Sequence, residues 1–539
     1  MKRNWASLRK LLRPFLWQVI LLTVLAVLQS VSQVGLSMVT KYVIDSAVAQ
    51  DGRLLFWGCV LAGILLLILA VNMLHAWCAG STADKAMARL RHALLTSAAN
   101  SEEARLQAYH SGQLLSRGIE DVNTVCDGMA NTLPTVMGQV TQLICAFLAV
   151  MILCPPLGPI MLCAGGVVAV AVAVMRPVIK RRHREVRRAE EQVMAGMQED
   201  LQQLELIKSL QAEKRILQRF QLKLKISLAA KARRRRWSVT AGTIVSGASQ
   251  VGSGALLLWG AAQVALNKLS YGSLTAMLQL LSLFRGPVVG LSGQLTKLTG
   301  MEVAAGRLVE LLTFEEEQEI PCERDLKIRA VVFENVTFCY PGDEVPVISR
   351  FSMAFPLEQW SCLTGISGKG KTTLFKLMLG LYSPQEGRVY LDTDRGQILC
   401  GKATRHLFAY VPQDFALFSG TVQENLLLVA PDAGEEERRQ ALMIAEAGFV
   451  TELTHGEQTQ VRENNAGLSK GQLQRLAIAR AVLMKRPVFL LDECTSALDA
   501  GTEAAVLRNL QTLGKQAILV THRPDALEKL DRVTAVSME

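Results

Sequence analysis

The chain has no C-x-x-C pair among its eleven cysteines, no internal repeat of solenoid period, and no clear small-residue cleavage site after its first apolar run. Each absence removes a class of protein. Cysteines scattered from Cys59 to Cys494 offer neither zinc-ligand spacing nor a disulfide framework, and read as small apolar residues. The lack of a period argues against a solenoid or propeller. The start is basic at Lys2, Arg3, Arg9, Lys10 and Arg13 and then apolar from Phe15 to Val39, as in a signal peptide. That apolar run is too long for an h-region and reads as a retained membrane span. Ahead of it, Trp5, Leu8, Leu11, Leu12 and Phe15 recur at near-helical spacing, which predicts an amphipathic helix on the inner membrane surface.

With 539 residues, of which 50% are hydrophobic, and a mean hydropathy of +0.24, the chain is too apolar for a soluble enzyme of its size and long enough for more than one domain. A net charge of +10 raises the possibility of nucleic acid, but the basic runs lie beside long apolar segments. They read as membrane topology and contact with anionic lipid, and no nucleic-acid partner is expected. Five further spans follow the first: Leu54 to Ala76, Leu133 to Cys154, Leu157 to Met175, Ser238 to Leu266 and Gly272 to Leu298. The connections at Ala47–Arg53, Pro155–Pro156 and Asn267–Tyr271 are short, whereas Gly80–Asn131 and Arg176–Trp237 are long and helix-like. Lys180 to Arg184 and Arg233 to Arg236 place the long loops in the cytoplasm. Membrane helices are therefore expected to continue as rods into the cytosol and return.

After the sixth span, the acidic run Phe314–Glu319 and Pro321 mark a solvated linker. From Ile328, short apolar runs alternate with helical patterns, which predicts an α/β domain with a largely parallel sheet. Inside it, Gly365-Ile366-Ser367-Gly368-Lys369-Gly370-Lys371-Thr372-Thr373 fits G-x-x-x-x-G-K-[ST], where backbone N–H groups surround phosphate oxygens, lysine reaches the terminal phosphates and a hydroxyl ligates Mg²⁺. Roughly 0.02 such matches arise by chance in a chain of this length. Trp360–Thr364 reads as the entering strand and Thr372–Leu379 as the leaving helix, whose N-terminal dipole adds to the cradle. Downstream, Pro487–Leu491 reads as a buried strand ending in Asp492-Glu493, where a carboxylate beside the cradle can hold Mg²⁺ and the next can polarise water.

On these motifs the chain resembles ABC transporters of the exporter type, six membrane helices fused ahead of one nucleotide-binding domain. The resemblance covers nearly the whole length. Tyr340 matches the aromatic residue that stacks on adenine, and Gln413 the glutamine that senses Mg²⁺ and the attacking water. Leu468-Ser469-Lys470-Gly471-Gln472 matches the signature motif, Ser496–Asp499 the D-loop and His522 the switch histidine. Leu417–Thr421 with Glu424-Asn425 also resembles exporters. Gly112–Arg117 with Glu120-Asp121-Val122, and Glu205–Lys208 with Glu213, resemble the two coupling regions that dock near Gln413. The resemblance implies a multidomain membrane protein: an all-α six-helix transmembrane domain over 1–311 with long cytoplasmic helical extensions, a linker over 312–327, and an α/β P-loop ATPase domain over 328–539. It implies ATP and Mg²⁺ as cofactors, with Thr372, Gln413 and Asp492 toward the metal, Glu493 and His522 as catalytic residues, and Ser469, Lys470, Gly471, Gln472 and Asp499 closing over ATP. It further implies a multi-pass protein of a bacterial plasma membrane with both termini and the ATPase cytoplasmic. The partner is a second half-transporter, the same chain or a different one.

Two positions depart from the pattern. Lys470 stands where the family has glycine, which makes a heterodimer plausible, and Lys369 stands where a small residue is commoner. Arg285, before Gly286-Pro287 in the sixth span, admits two readings: a substrate-cavity cation, or a partner for carbonyls freed by the proline. An ATP-gated channel or membrane regulator carrying no cargo would show the same motifs. The cargo is not written in the sequence. No peptidase domain precedes the first span, which disfavours an exporter that also cleaves a leader.

Overall fold

The computed structural model describes residues 5–107, 109, 111–155, 157–314, 317, 326–364, 370–414, 417–461, 467–521 and 533–537. It divides into two compact units, Met1–Leu94 with Ser116–Leu312, and Leu95–Leu115 with Thr313–Glu539.

The first unit is helical. Six long helices carry it: α1 (Leu16–Ala49), α2 (Leu54–Asn100), α3 (Leu133–Leu153), α4 (Leu157–Gln202), α5 (Glu213–Ala265) and α6 (Tyr271–Leu312). At about 1.5 Å per residue, the 46 and 53 residues of α4 and α5 extend for roughly 70 and 80 Å, more than twice the hydrocarbon thickness. The expected continuous rods are therefore present. Among the described residues, Lys10–Ala49, Leu54–Asn100 and Leu114–Leu153 are long and apolar enough to cross a membrane, and Tyr271–Phe284 is a shorter apolar helix.

Small and amide side chains join α1, α3 and α6. Ser30 donates to the Gly138 carbonyl at 2.8 Å, and a Cβ at Gly138 would stand 3.1 Å from the Ala26 carbonyl, so glycine permits this approach. Gln142 Nε2 donates to Gln33 Oε1 and to the Leu283 carbonyl, each at 3.3 Å, satisfying polar groups that lipid cannot. At the start of α6, Asp45 accepts from the Gly272 amide and the Ser270 hydroxyl, both at 2.9 Å, and so satisfies a helix N-terminus with an anion. Farther along α6, Arg307 grips the buried Asp121 through Nε at 2.8 Å, and Glu310 accepts from Arg117 at 2.9 Å. Arg117 and Asp121, read in the sequence as coupling residues, thus anchor the helical unit itself.

In the second unit, β1 (Ile328–Phe338), β2 (Ile348–Pro356), β3 (Trp360–Thr364), β4 (Glu386–Thr393), β5 (Gly396–Leu399), β6 (Phe408–Val411), β7 (Val488–Asp492), β8 (Gln516–Val520) and β9 (Val533–Ser537) form two main sheets. The order β9-β3-β8-β7-β6 is parallel throughout, and β2-β1-β4-β5 is antiparallel. The parallel sheet was expected. The antiparallel one was not, and its cause lies in β1, whose alternation of Val331, Phe333, Val336 and Phe338 buries only one face. By contrast, β7 is buried at all five positions, as a strand covered on both faces must be. The helices α7 (Lys371–Met378), α8 (Lys470–Leu483) and α9 (Ala500–Thr512) complete the frame of the site.

Candidate functional site

The strand β3 runs parallel to β8 and β9 and ends at Thr364; residues 365–369 lie outside the described residues, and the chain is described again from Gly370. Gly370 has φ +87°, a conformation glycine adopts without penalty, and an added Cβ would sit 3.1 Å from Val347. It is followed at once by α7, so the described end of the cradle is a helix N-terminus carrying Lys371, Thr372 and Thr373.

Strand β7 delivers the carboxylates. It lies parallel to β8, which pairs in parallel with β3, so Asp492 reaches the same C-terminal end of the parallel strands as the cradle. Asp492 is 1% exposed, its Oδ2 accepts from the Tyr410 hydroxyl at 3.4 Å, and the Thr372 hydroxyl lies beside the carboxylate. Burial pushes its pKa upward, with Glu493 adding to the rise, while the Thr372 and Tyr410 hydroxyls and Lys371 oppose it. Its Oδ1 is buried without a hydrogen-bond partner among the described residues. Such an orphaned anionic oxygen beside a hydroxyl is the donor set a hard divalent cation takes, so these residues fit Mg²⁺. Lys371 is buried too, and desolvation lowers its pKa against the upward pull of Glu493 and Asp492.

Glu493 sits at φ +48°, in the left-handed region where a non-glycine residue is uncommon. Its amide donates to the Val520 carbonyl at 3.1 Å, and its Oε2 accepts from Gln413 Nε2 at 2.9 Å. Three separated sequence motifs therefore meet: Lys371-Thr372 on α7, Asp492-Glu493 after β7, and Gln413 after β6. Tyr340 approaches the same helix, its hydroxyl 3.0 Å from Thr373 Oγ1, with the Lys376 ammonium 5.5 Å from its ring centre.

The signature segment opens α8 through a reciprocal cap. Ser469 Oγ accepts from the Gln472 amide at 3.2 Å and Gln472 Oε1 accepts from the Ser469 amide at 2.8 Å. Ser469 and Lys470 are both exposed. A Cβ at Gly471 would stand 3.0 Å from the Ala497 carbonyl, so glycine lets α8 approach the D-loop. Asp499 caps α9 by accepting from the Thr502 amide at 3.0 Å and hydroxyl at 2.8 Å. His522 lies outside the described residues, as does the side chain of Arg285.

Sequence reasoning passed over two connecting side chains. Gln474, fully buried on α8, accepts from the Ala497 amide at 3.0 Å and donates to Ser496 Oγ at 3.2 Å and the Glu493 carbonyl at 3.5 Å. It ties the signature helix to the carboxylate turn. Buried Glu503 accepts from Thr495 Oγ1 at 2.6 Å and pins that turn from α9. No local signal marks Gln474, because the same helix also carries Lys470, Gln472, Arg475 and Arg480. Asn425, flagged in the sequence, is likewise structural: it accepts from the Phe418 amide and donates to the Phe418 carbonyl, both at 2.8 Å.

A P-loop ATPase fold with a helical membrane unit defines the class. The family model for the ABC transporter transmembrane region matches residues 19–288, and that for the ABC transporter matches 348–496. An ATP-dependent lipid A-core flippase of Chromobacterium violaceum is 30% identical over 99% of this chain and 93% of its own length. The chain belongs to the ABC transporter family, as an exporter-type half-transporter with the membrane domain fused to the nucleotide-binding domain. The Lactococcus lactis lactococcin transport/processing ATP-binding protein LcnC-like is 29% identical over 79% of this chain, which spans 60% of that relative's length. A solved bacterial Atm1-family ABC exporter with ATP bound shares the fold, with a TM-score of 0.80 at 20% identity over 97% of this chain and 93% of its own.

Proposed function

We propose that the chain is an ATP-driven exporter working as a dimer, in which ATP held by one chain's cradle is closed over by the signature segment of the other. The observation that carries this reading is the convergence of Lys371, Thr372, Asp492, Glu493 and Gln413 at the C-terminal end of the parallel strands, with Ser469 and Lys470 exposed at the head of α8. Thr372, Gln413 and Asp492 would hold Mg²⁺, which screens phosphate charge when bound. Lys371 binds the terminal phosphates. Glu493 accepts a proton from the attacking water, Gln413 positions the Glu493 carboxylate, and His522 holds the γ-phosphate geometry. Tyr340 is the adenine contact. Closure shifts the membrane domain from inward to outward access only to the extent that ATP binds the closed dimer more tightly than the open one, which a two-chain site supplies.

The domain limits 1–311, 312–327 and 328–539 belong to the same proposal, as does a bacterial plasma membrane location with the ATPase in the cytoplasm. The relatives' names give lactococcin transport/processing and ATP-dependent lipid A-core flipping, which sets lipid and peptide panels as the first cargoes to try. The test is ATP-dependent uptake of radiolabelled lipid and peptide panels into inverted vesicles holding this chain alone. Uptake that requires ATP and is lost in Glu493→Gln supports the reading. Nucleotide-gated current without accumulation contradicts it and favours a channel.

A further inference from the structure

Away from the phosphate site, the second unit contains a cluster built from three separated stretches. Ala104, in the short helix Glu103–Gln107, packs against the core group that includes Leu379 and Tyr382. The rings of Tyr109 and Phe314 lie 5.9 Å apart, and the Glu317 amide donates to the Asn100 carbonyl at 2.9 Å. The Glu317 carboxylate then accepts twice from Arg405, from Nη1 at 3.0 Å and Nη2 at 2.8 Å. Arg405 also donates from Nε to the Leu379 carbonyl at 2.8 Å and from Nη2 to the Gly380 carbonyl at 3.0 Å.

Those two carbonyls stand at the C-terminal end of α7, the helix whose N-terminus carries Lys371. One guanidinium therefore holds the two carbonyls just past the C-terminus of the phosphate-site helix and grips the linker carboxylate at the same time. The fork is planar and bidentate, a geometry only arginine supplies. Glu317 is 9% exposed at its side chain and Arg405 30%, so the pair is shielded enough that losing one partner strands a charge. Glu317 in turn holds Asn100, the last residue of α2, through its backbone. The geometry forms a strap: α7, Arg405, Glu317, Asn100.

We propose that Glu317 and Arg405 are positioning residues for transport, fastening residues 95–107 to the rear of the phosphate-site helix so that displacement of α7 by nucleotide is carried into α2. The proposal deepens the transport reading and rests on it. It adds Asn100 and Ala104 to the coupling regions that the resemblance implies at Gly112–Arg117 with Glu120-Asp121-Val122 and at Glu205–Lys208 with Glu213.

The test is hydrogen exchange by mass spectrometry on the full chain in nanodiscs of phosphatidylethanolamine and phosphatidylglycerol, with and without Mg·ATP and vanadate. Without nucleotide, Arg405→Ala and Glu317→Ala each raise exchange in 95–107 about tenfold, the double variant adds nothing further, and Arg405→Lys, which keeps the charge but not the fork, restores only a minor part of the protection. With nucleotide, the KM for ATP stays within about twofold and α7 is protected as in the wild type, but the response of residues 54–94 is lost in Arg405→Ala. Glu317→Gln, a milder change, carries the test should Arg405→Ala not fold. Multiplying effects in the double variant, or an intact 54–94 response in folded Arg405→Ala or Glu317→Gln, overturns the proposal. The two arms separate the two ideas: with nucleotide, a wild type whose α7 ignores Mg·ATP contradicts the ATP reading, while without it, unchanged 95–107 exchange in the variants contradicts the strap.

Discussion

Replacing Asp492 by asparagine should stabilise the nucleotide-free protein and remove its response to Mg·ATP. The carboxylate is 1% exposed, one oxygen lacks a partner among the described residues, and Glu493 follows it directly. A buried polar atom without a partner costs about 1–3 kcal/mol and more when it is charged, and asparagine keeps the shape while removing the charge. A gain of about 1–2 kcal/mol corresponds to roughly 2–8 °C in the melting midpoint of a domain this size. The pH dependence has a definite sign. Because burial raises the folded pKa above 3.8, the folded state binds the proton more strongly than the unfolded one. The resulting stabilisation is present below the unfolded pKa and is lost as pH rises through the folded value. The advantage of Asp492→Asn is therefore largest at neutral pH and narrows in acid. Saturating Mg·ATP, at about a hundredfold over its Kd, should add about 2.7 kcal/mol to the wild type and much less to the variant, inverting their order. Scanning fluorimetry of the full-length protein, with EDTA or with Mg·ATP, reads both effects. A lower midpoint for the variant in EDTA, or an equal rise with Mg·ATP, refutes the reasoning.

Two further substitutions probe the frame. Gly471→Ala places a Cβ 3.0 Å from the Ala497 carbonyl, a backbone atom that cannot yield cheaply; about 1–3 kcal/mol of stability should be lost, and a lower midpoint of the urea melt followed by fluorescence, at unchanged slope, will show it. ATPase turnover in the same preparation should fall by more than the folded fraction does, because the D-loop must shift. Asn425→Ala removes three hydrogen bonds, two to Phe418 and one to the Thr421 carbonyl, worth about 1 kcal/mol each. Limited proteolysis should then cut near Phe418 at least tenfold faster, with nucleotide affinity unchanged.

The helical rods were legible in the sequence because apolar length and flanking charge are local properties. The ends of the cradle were legible for the same reason: Trp360–Thr364 is a strand, and a helix opens at Lys371 where one was read from Thr372. What escaped the sequence depends on partners far along the chain. Nothing near Gln474 announces its bonds to Glu493, Ser496 and Ala497, and nothing near Glu493 announces φ +48°. Phe314–Glu319 was read as a solvated linker from its charge and the following Pro321, yet Glu317 is nearly buried against Arg405, 88 residues away. The antiparallel sheet could have been anticipated from the alternation in β1, but a pattern of short apolar runs between helices favours the parallel reading first.

The central claim is that this chain turns over ATP at the site where Gln413 meets Glu493. It is tested most directly by the Mg²⁺-dependent ATPase rate of the purified chain, reconstituted without any other half-transporter, beside Glu493→Gln. The wild type should hydrolyse ATP while the variant binds it and turns it over at least about a hundredfold more slowly. Equal rates in the two proteins would contradict the account.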